Sequence, residues 1–105
     1  ARLGADIEVS RIIDLPGFIN PGDDPWTKSV LAILERSQGK PPEVGYVNYF
    51  TDASILKPGL GDPPAMVLGP GPAGQAHQTD EFCPVDDIKE AAELYAAIGR
   101  QWLGL

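Results

Sequence analysis

Ten consecutive residues, Pro16-Gly17-Phe18-Ile19-Asn20-Pro21-Gly22-Asp23-Asp24-Pro25, restrict the folding of this chain more than any other stretch. Their prolines fix φ and withdraw backbone donors, their glycines favour bends, and Asn20, Asp23 and Asp24 can hydrogen-bond to nearby main chain. Neither a helix nor a strand can persist across such a run. The residues before it and after it therefore belong to separate units. The sequence divides into residues 1–15, a crossover at 16–24, and a larger unit at 25–105.

In the first unit, Ile7, Val9, Ile13 and Leu15 share one parity, and Asp6, Glu8, Ser10 and Asp14 share the other. This is the alternation of a half-buried strand, interrupted at Arg11 and Ile12. The larger unit opens with a strong helix signal. Asp24 can cap it, Pro25 suits its first position, and Trp26, Val30, Ile33, Leu34 and Ser37 fall on one stripe before Gly39 and Pro41-Pro42 end it. The signal predicts a helix over 25–38.

Residues 44–50 read as a short strand apolar on both faces, as in a sheet covered by helices. Thr51 or Asp52 caps a short helix through Lys57, stopped by Pro58-Gly59. Another strand is predicted at 65–68. From Asp86 or Asp87 a long helix follows, with an inward stripe of Ile88, Ala91, Ala92, Tyr95, Ile98 and Trp102, acidic residues in its first turn and Arg100 near its end. The two tryptophans read as core anchors of their helices. The predicted order of strand, crossover, helix, strand, helix, strand, helix specifies an α/β layer.

Composition narrows the function. A chain of 105 residues with a formal net charge of −7 lacks the basic face that nucleic acid requires, so no nucleic-acid partner is expected. No apolar run approaches the roughly 20 residues of a membrane span, so no membrane partner is expected either. A lone cysteine, Cys83, excludes an internal disulfide and fits a reducing, cytoplasmic setting. The first residues lack the apolar core of a signal peptide and enter strand-like sequence without an initiating Met, which reads as a segment of a longer protein.

The candidate site lies between Met66 and Phe82. Met66-Val67-Leu68 stops at Gly69-Pro70-Gly71, and the loop beyond carries the chain's single histidine, His77, beside Asp80 and Glu81. Loops at strand ends are where α/β scaffolds present ligand-binding groups, and glycines there let a ligand approach the backbone. Zinc needs three or four protein ligands, and no spacing around His77 matches a standard zinc signature. On composition alone, His77 reads as a partly exposed loop residue held by Asp80 or Glu81, and the glycines read as an ordinary turn. Cys83 reads as a small buried side chain and Asp52 as a helix cap.

Three phrases taken together are more specific: Asn48-Tyr49-Phe50-Thr51-Asp52-Ala53, Val67-Leu68-Gly69-Pro70-Gly71, and Gln75-Ala76-His77-Gln78-Thr79-Asp80-Glu81-Phe82. In this order they resemble the C-terminal segment of the acetylornithine deacetylase and succinyl-diaminopimelate desuccinylase family of zinc amidohydrolases. That family also includes aminoacylases, dipeptidases and glutamate carboxypeptidases. The resemblance runs from about Asp6 to the end.

It implies that His77 is a metal ligand, that Gly69, Pro70 and Gly71 form a turn meeting the substrate's carboxylate, and that Thr51 and Asp52 border the same pocket. Asp80 or Glu81 would orient the second ring nitrogen of His77. Residues 1–15 would be the last strand of a lid or dimerisation domain. Residues 25–105 would be the C-terminal part of a catalytic domain built as a three-layer sheet with helices. The implied cofactor is zinc, one or two ions per full-length chain, or another divalent metal. The implied substrate is a small N-acylated amino acid or peptide, and the implied assembly a homodimer.

The remaining metal ligands and the general-base glutamate would lie upstream, so no catalytic residue is assigned within the chain, and the chain alone is expected to be inactive. Phe82-Cys83 departs mildly from the family's aromatic and aliphatic pair. Two other readings stay open, a related zinc dipeptidase or carboxypeptidase and a non-catalytic α/β ligand-binding or interaction domain.

Overall fold

The computed structural model describes residues 4–105 and contains three α-helices, α1 (Pro25–Gln38), α2 (Ala53–Gly59) and α3 (Val85–Leu103), with one 3₁₀ turn at Ala73–Gln75. The predicted partial three-layer sheet is not there. Among the described residues none is in a β-strand, and the expected strands at 6–15, 44–50 and 65–68 run without ladders. Residues 1–3 of the first unit lie outside the described residues.

The reason is physical. A helix pairs its N–H and C=O groups within its own segment, whereas a strand can pair them only with a neighbour, so alternating sequence names a face to bury without supplying the partner. The apolar side chains of these runs consequently stand in solvent. Val9 is 88% exposed and Tyr46 93% exposed, where the sequence predicted a half-buried and a fully buried strand. The radius of gyration is 18.5 Å, well above the about 13 Å of a closed domain of this length.

The packed part is the pair α1 and α3. Asp24 caps α1 by accepting from the backbone N–H groups of Trp26 at 3.2 Å and Thr27 at 3.1 Å, and from the Thr27 hydroxyl at 2.9 Å. Burial pushes the Asp24 carboxyl up, but the Thr27 and Trp26 bonds together with the charge of Lys28 outweigh it and hold the group below its ordinary value of 3.8. Gly39, with φ at 70°, closes α1 through its N–H to the Glu35 carbonyl. The helix ends match those predicted, although Thr27 is buried and Ser37 exposed, so the stripe is rotated toward its N-terminal turn.

Across from it, α3 buries Ala91 and Leu94, with Ala97 and Ile98 half-buried beside them. The predicted stripe is corrected on this helix. Leu94 is the core residue it omitted, Ile88, Ala92 and Tyr95 are exposed, and Trp102 is 73% exposed instead of anchoring the core. Helical spacing gives a face only to within one side chain, and the tilt of α3 against α1 decides which flank is covered. Met66 and Leu68 fill in from the intervening extended run against Val30, Ile33, Leu34 and Leu94. This brings the Gly69-Pro70-Gly71 turn to the edge of the helix pair.

Two polar ties hold the loops. The Asn20 side chain donates to the Thr27 hydroxyl and accepts from the Ala65 N–H at 3.2 Å, joining the crossover to the run that leads into the turn. Lys57, buried at the end of α2, pairs with Asp62, which adopts φ 62°. Helix α2 runs on through Pro58-Gly59, which the sequence predicted as its stop. Proline in a last turn forfeits only its own donor, and Leu60 and Asp62 still donate to the Lys57 carbonyl.

Candidate functional site

The turn is held from α3 and from the segment leading into it, whereas the histidine loop is held by its own local bonds and by Tyr49. At one end of the turn, Tyr95 of α3 donates its hydroxyl to the Leu68 carbonyl at 2.8 Å. At the other, Gly71 has φ 82°, and a Cβ there would stand 3.1 Å from the Cys83 sulfur. Glycine at position 71 is thus required twice, for conformation and for space. Cys83 is a half-buried thiol packed against this bend.

The turn borders a cleft of about 160 Å³ lined by Gly69, Pro70, Gly71, Tyr95, Asp87 and Glu90 among others. The two carboxylates matter, because an anionic group approaching the turn from this side meets like charge.

His77 is exposed, outside this cleft, and held in the left-handed region at φ 63°, as is Asp80 at φ 57°. Positive φ is uncommon for residues other than glycine, though His and Asp are enriched among the exceptions, and such conformations cluster at functional sites. The local bonding sustains the bend. The Ala73–Gln75 turn leads in, Gln78 N–H reaches the Gln75 carbonyl at 3.2 Å, and the Glu81 carboxylate accepts from the His77 backbone N–H at 3.2 Å. Glu81 therefore grips the main chain of His77. Among the described residues the imidazole donates no hydrogen bond to Asp80.

The imidazole has one ring neighbour. Tyr49 meets it edge to face, with centroids 5.4 Å apart and planes inclined by 70°, which is a favourable arrangement for two aromatic rings. This contact joins the segment around residues 48–53 to the histidine loop. Thr51 is half-buried and its carbonyl accepts from Ser54 N–H, whereas Asp52 is exposed at the N-cap position of α2 with no side-chain cap bond. Neither lines the cleft at the turn. The structure thus brings Tyr49 to His77, and Tyr95 and Cys83 to the turn, but does not gather all the predicted site residues into one pocket.

Among the described residues no three His, Cys, Asp or Glu side chains converge on one point. The residues present do not fit a zinc ion on their own, which needs three or four protein donors. An exposed, oriented imidazole fits one corner of such a site.

Tyr49 and Tyr95 are the residues that sequence reasoning undervalued, the first read as strand and the second as core.

Residues 4–101 match Peptidase family M20/M25/M40. The chain belongs to this family. It is similar to acetylornithine deacetylase of Erwinia tasmaniensis, at 34% identity over 84 residues, which is 80% of this chain and 20% of that protein. It is also similar to acetylornithine deacetylase of Proteus mirabilis, at 35% over 80 residues, covering 76% of this chain and 18% of that protein. For the enzyme of the same name from Pectobacterium carotovorum the identity is 33% over 84 residues. The chain therefore spans about a fifth of the length of the curated relatives it matches. No solved structure matches it. The relatives support a hydrolase-family origin for the chain, and no helix among the described residues is long and apolar enough to cross a membrane.

Proposed function

We propose that this chain is the C-terminal part of a metal-dependent amidohydrolase that removes the acyl group from a small N-acylated amino acid, of the acetylornithine deacetylase or succinyl-diaminopimelate desuccinylase type. The observation that carries this reading is the family match over residues 4–101, with relatives named acetylornithine deacetylase. The geometry of His77 supports it, because a side chain held at positive φ and braced by Tyr49 is oriented for use.

In this reading His77 donates one ligand to zinc or another divalent metal, one or two ions per full-length chain, and the other donors and the general base come from the rest of that protein. When bound, such a metal supplies Lewis-acid chemistry. Glu81 fixes the backbone on which His77 sits, and Asp80 sets the loop's return. Gly69, Pro70 and Gly71 contact the substrate's carboxylate from the side away from Asp87 and Glu90, with Thr51 and Asp52 bordering the pocket. Residues 1–15 belong to a lid or dimerisation unit, 16–24 form the crossover and 25–105 belong to the catalytic unit of a cytoplasmic homodimer.

The test is the intact protein carrying His77→Ala, assayed for bound zinc and for acetate release from N-acetylornithine. Turnover should fall by more than about 100-fold, beyond the 10–100-fold typical of losing a supporting partner, and zinc content should drop. Unchanged zinc stoichiometry and unchanged turnover overturn the ligand assignment. The 105-residue chain alone should show no amidase activity, because one donor without a base cannot activate water.

A further inference from the structure

We propose that Tyr95 is a positioning residue for substrate recognition, acting through the Gly69-Pro70-Gly71 turn. The inference rests on the reading that this turn contacts substrate. The Leu68 carbonyl accepts a hydrogen bond from the Tyr95 hydroxyl at 2.8 Å.

That bond spans 27 residues of sequence and ties the residue immediately before the turn to the third turn of α3. The far end of the turn is wedged by Cys83, which stands two residues ahead of α3. Helix α3 thus holds one end of the turn by hydrogen bond, and the segment that leads into this helix meets the other end by contact. A Cβ at position 69 would lie 4.0 Å from the Tyr95 oxygen, an ordinary contact, so the phenol stands beside the turn without crowding it.

With the hydroxyl removed, the Leu68 carbonyl turns to water and the amides of Gly69 and Gly71 sample more orientations, so substrate is bound less well while the reacting groups elsewhere are untouched. The chemistry of that recognition is a carboxylate meeting backbone N–H groups held in one direction.

The experiment compares intact wild-type protein with Tyr95→Phe, and with Tyr46→Phe as a control at an exposed tyrosine, using N-acetylornithine as probe and amide hydrogen exchange at Gly69 and Gly71 as a second readout. For Tyr95→Phe, KM should rise about fivefold, the worth of one net hydrogen bond, with kcat within about twofold, and both glycine amides should exchange faster. Tyr46→Phe should match wild type in every measure. A loss confined to kcat with KM unchanged, the mark of a smaller folded fraction, overturns the proposal, as does unchanged exchange at both glycines. Should the wild-type protein fail to hydrolyse the probe, the functional reading falls while the exchange comparison still decides whether Tyr95 holds the turn.

Discussion

The helix pair α1 and α3 and the extended runs at 6–15 and 44–50 are built from equally apolar sequence, yet their fates differ. Val30 in α1 is 2% exposed, whereas Ile7 and Ile12 in the first run are 82% and 96% exposed. Hydrophobicity alone does not explain that contrast. A helix completes its backbone hydrogen bonds locally and needs only one partner for its stripe, which α1 and α3 give each other. A strand needs a neighbour on its edge and cover on its faces, and neither is present here. Exposed apolar runs of this kind mark surfaces that another part of a protein covers.

The sharpest way to break this contrast is at Leu94, the α3 side chain buried against α1. Leu94→Ala should destabilise the helix pair by about 2–5 kcal/mol, read by thermal unfolding of the helical circular dichroism signal. Val9→Ala in the exposed run should leave that signal unchanged in the 105-residue chain. Equal losses for the two would show that the exposed run is packed after all.

A smaller effect is expected at the turn. Gly71→Ala forces a Cβ into the left-handed region and against the Cys83 sulfur, at a cost of about 1–2 kcal/mol from conformation alone. Adding Cys83→Ala should restore the part due to crowding and leave the conformational part. Full recovery in the double variant would mean that φ at this position is not constrained.

The smallest change concerns Asp24. Its carboxyl sits below 3.8 in the folded chain, so its contribution is complete above 3.8 and is lost as pH falls through the lowered native value. Asp24→Ala should reduce α1 helicity near neutral pH by less than Leu94→Ala lowers stability. Asp24→Asn should keep a cap and flatten the acid dependence of helicity. Acid titration of the two variants beside wild type checks the sign.

How far the sequence could be read follows the same division. The bounds of α1 came directly from Asp24, Pro25 and Gly39, because capping chemistry acts within a few residues. Helix α3 starts at Val85, ahead of the predicted Asp86 or Asp87, with Pro84 in the capping position and no side-chain bond there. At the candidate site, the three phrases around Thr51, Gly69 and His77 were legible as a family resemblance, and the family match bears that out. The contact of Tyr49 with His77 and the bond from Tyr95 to Leu68 were not legible, because each joins positions more than 25 residues apart in sequence.

By itself, then, the amino-acid order determined where α1 begins and ends and which family the chain belongs to, properties carried by neighbouring residues or by ordered motifs. Tertiary structure alone decided that Leu94 and not Trp102 enters the core, that the predicted strands stay unpaired, and that His77 stands apart from the cleft beside the Gly-Pro-Gly turn. Those outcomes depend on which distant surfaces meet, and local periodicity restricts such meetings without selecting among them.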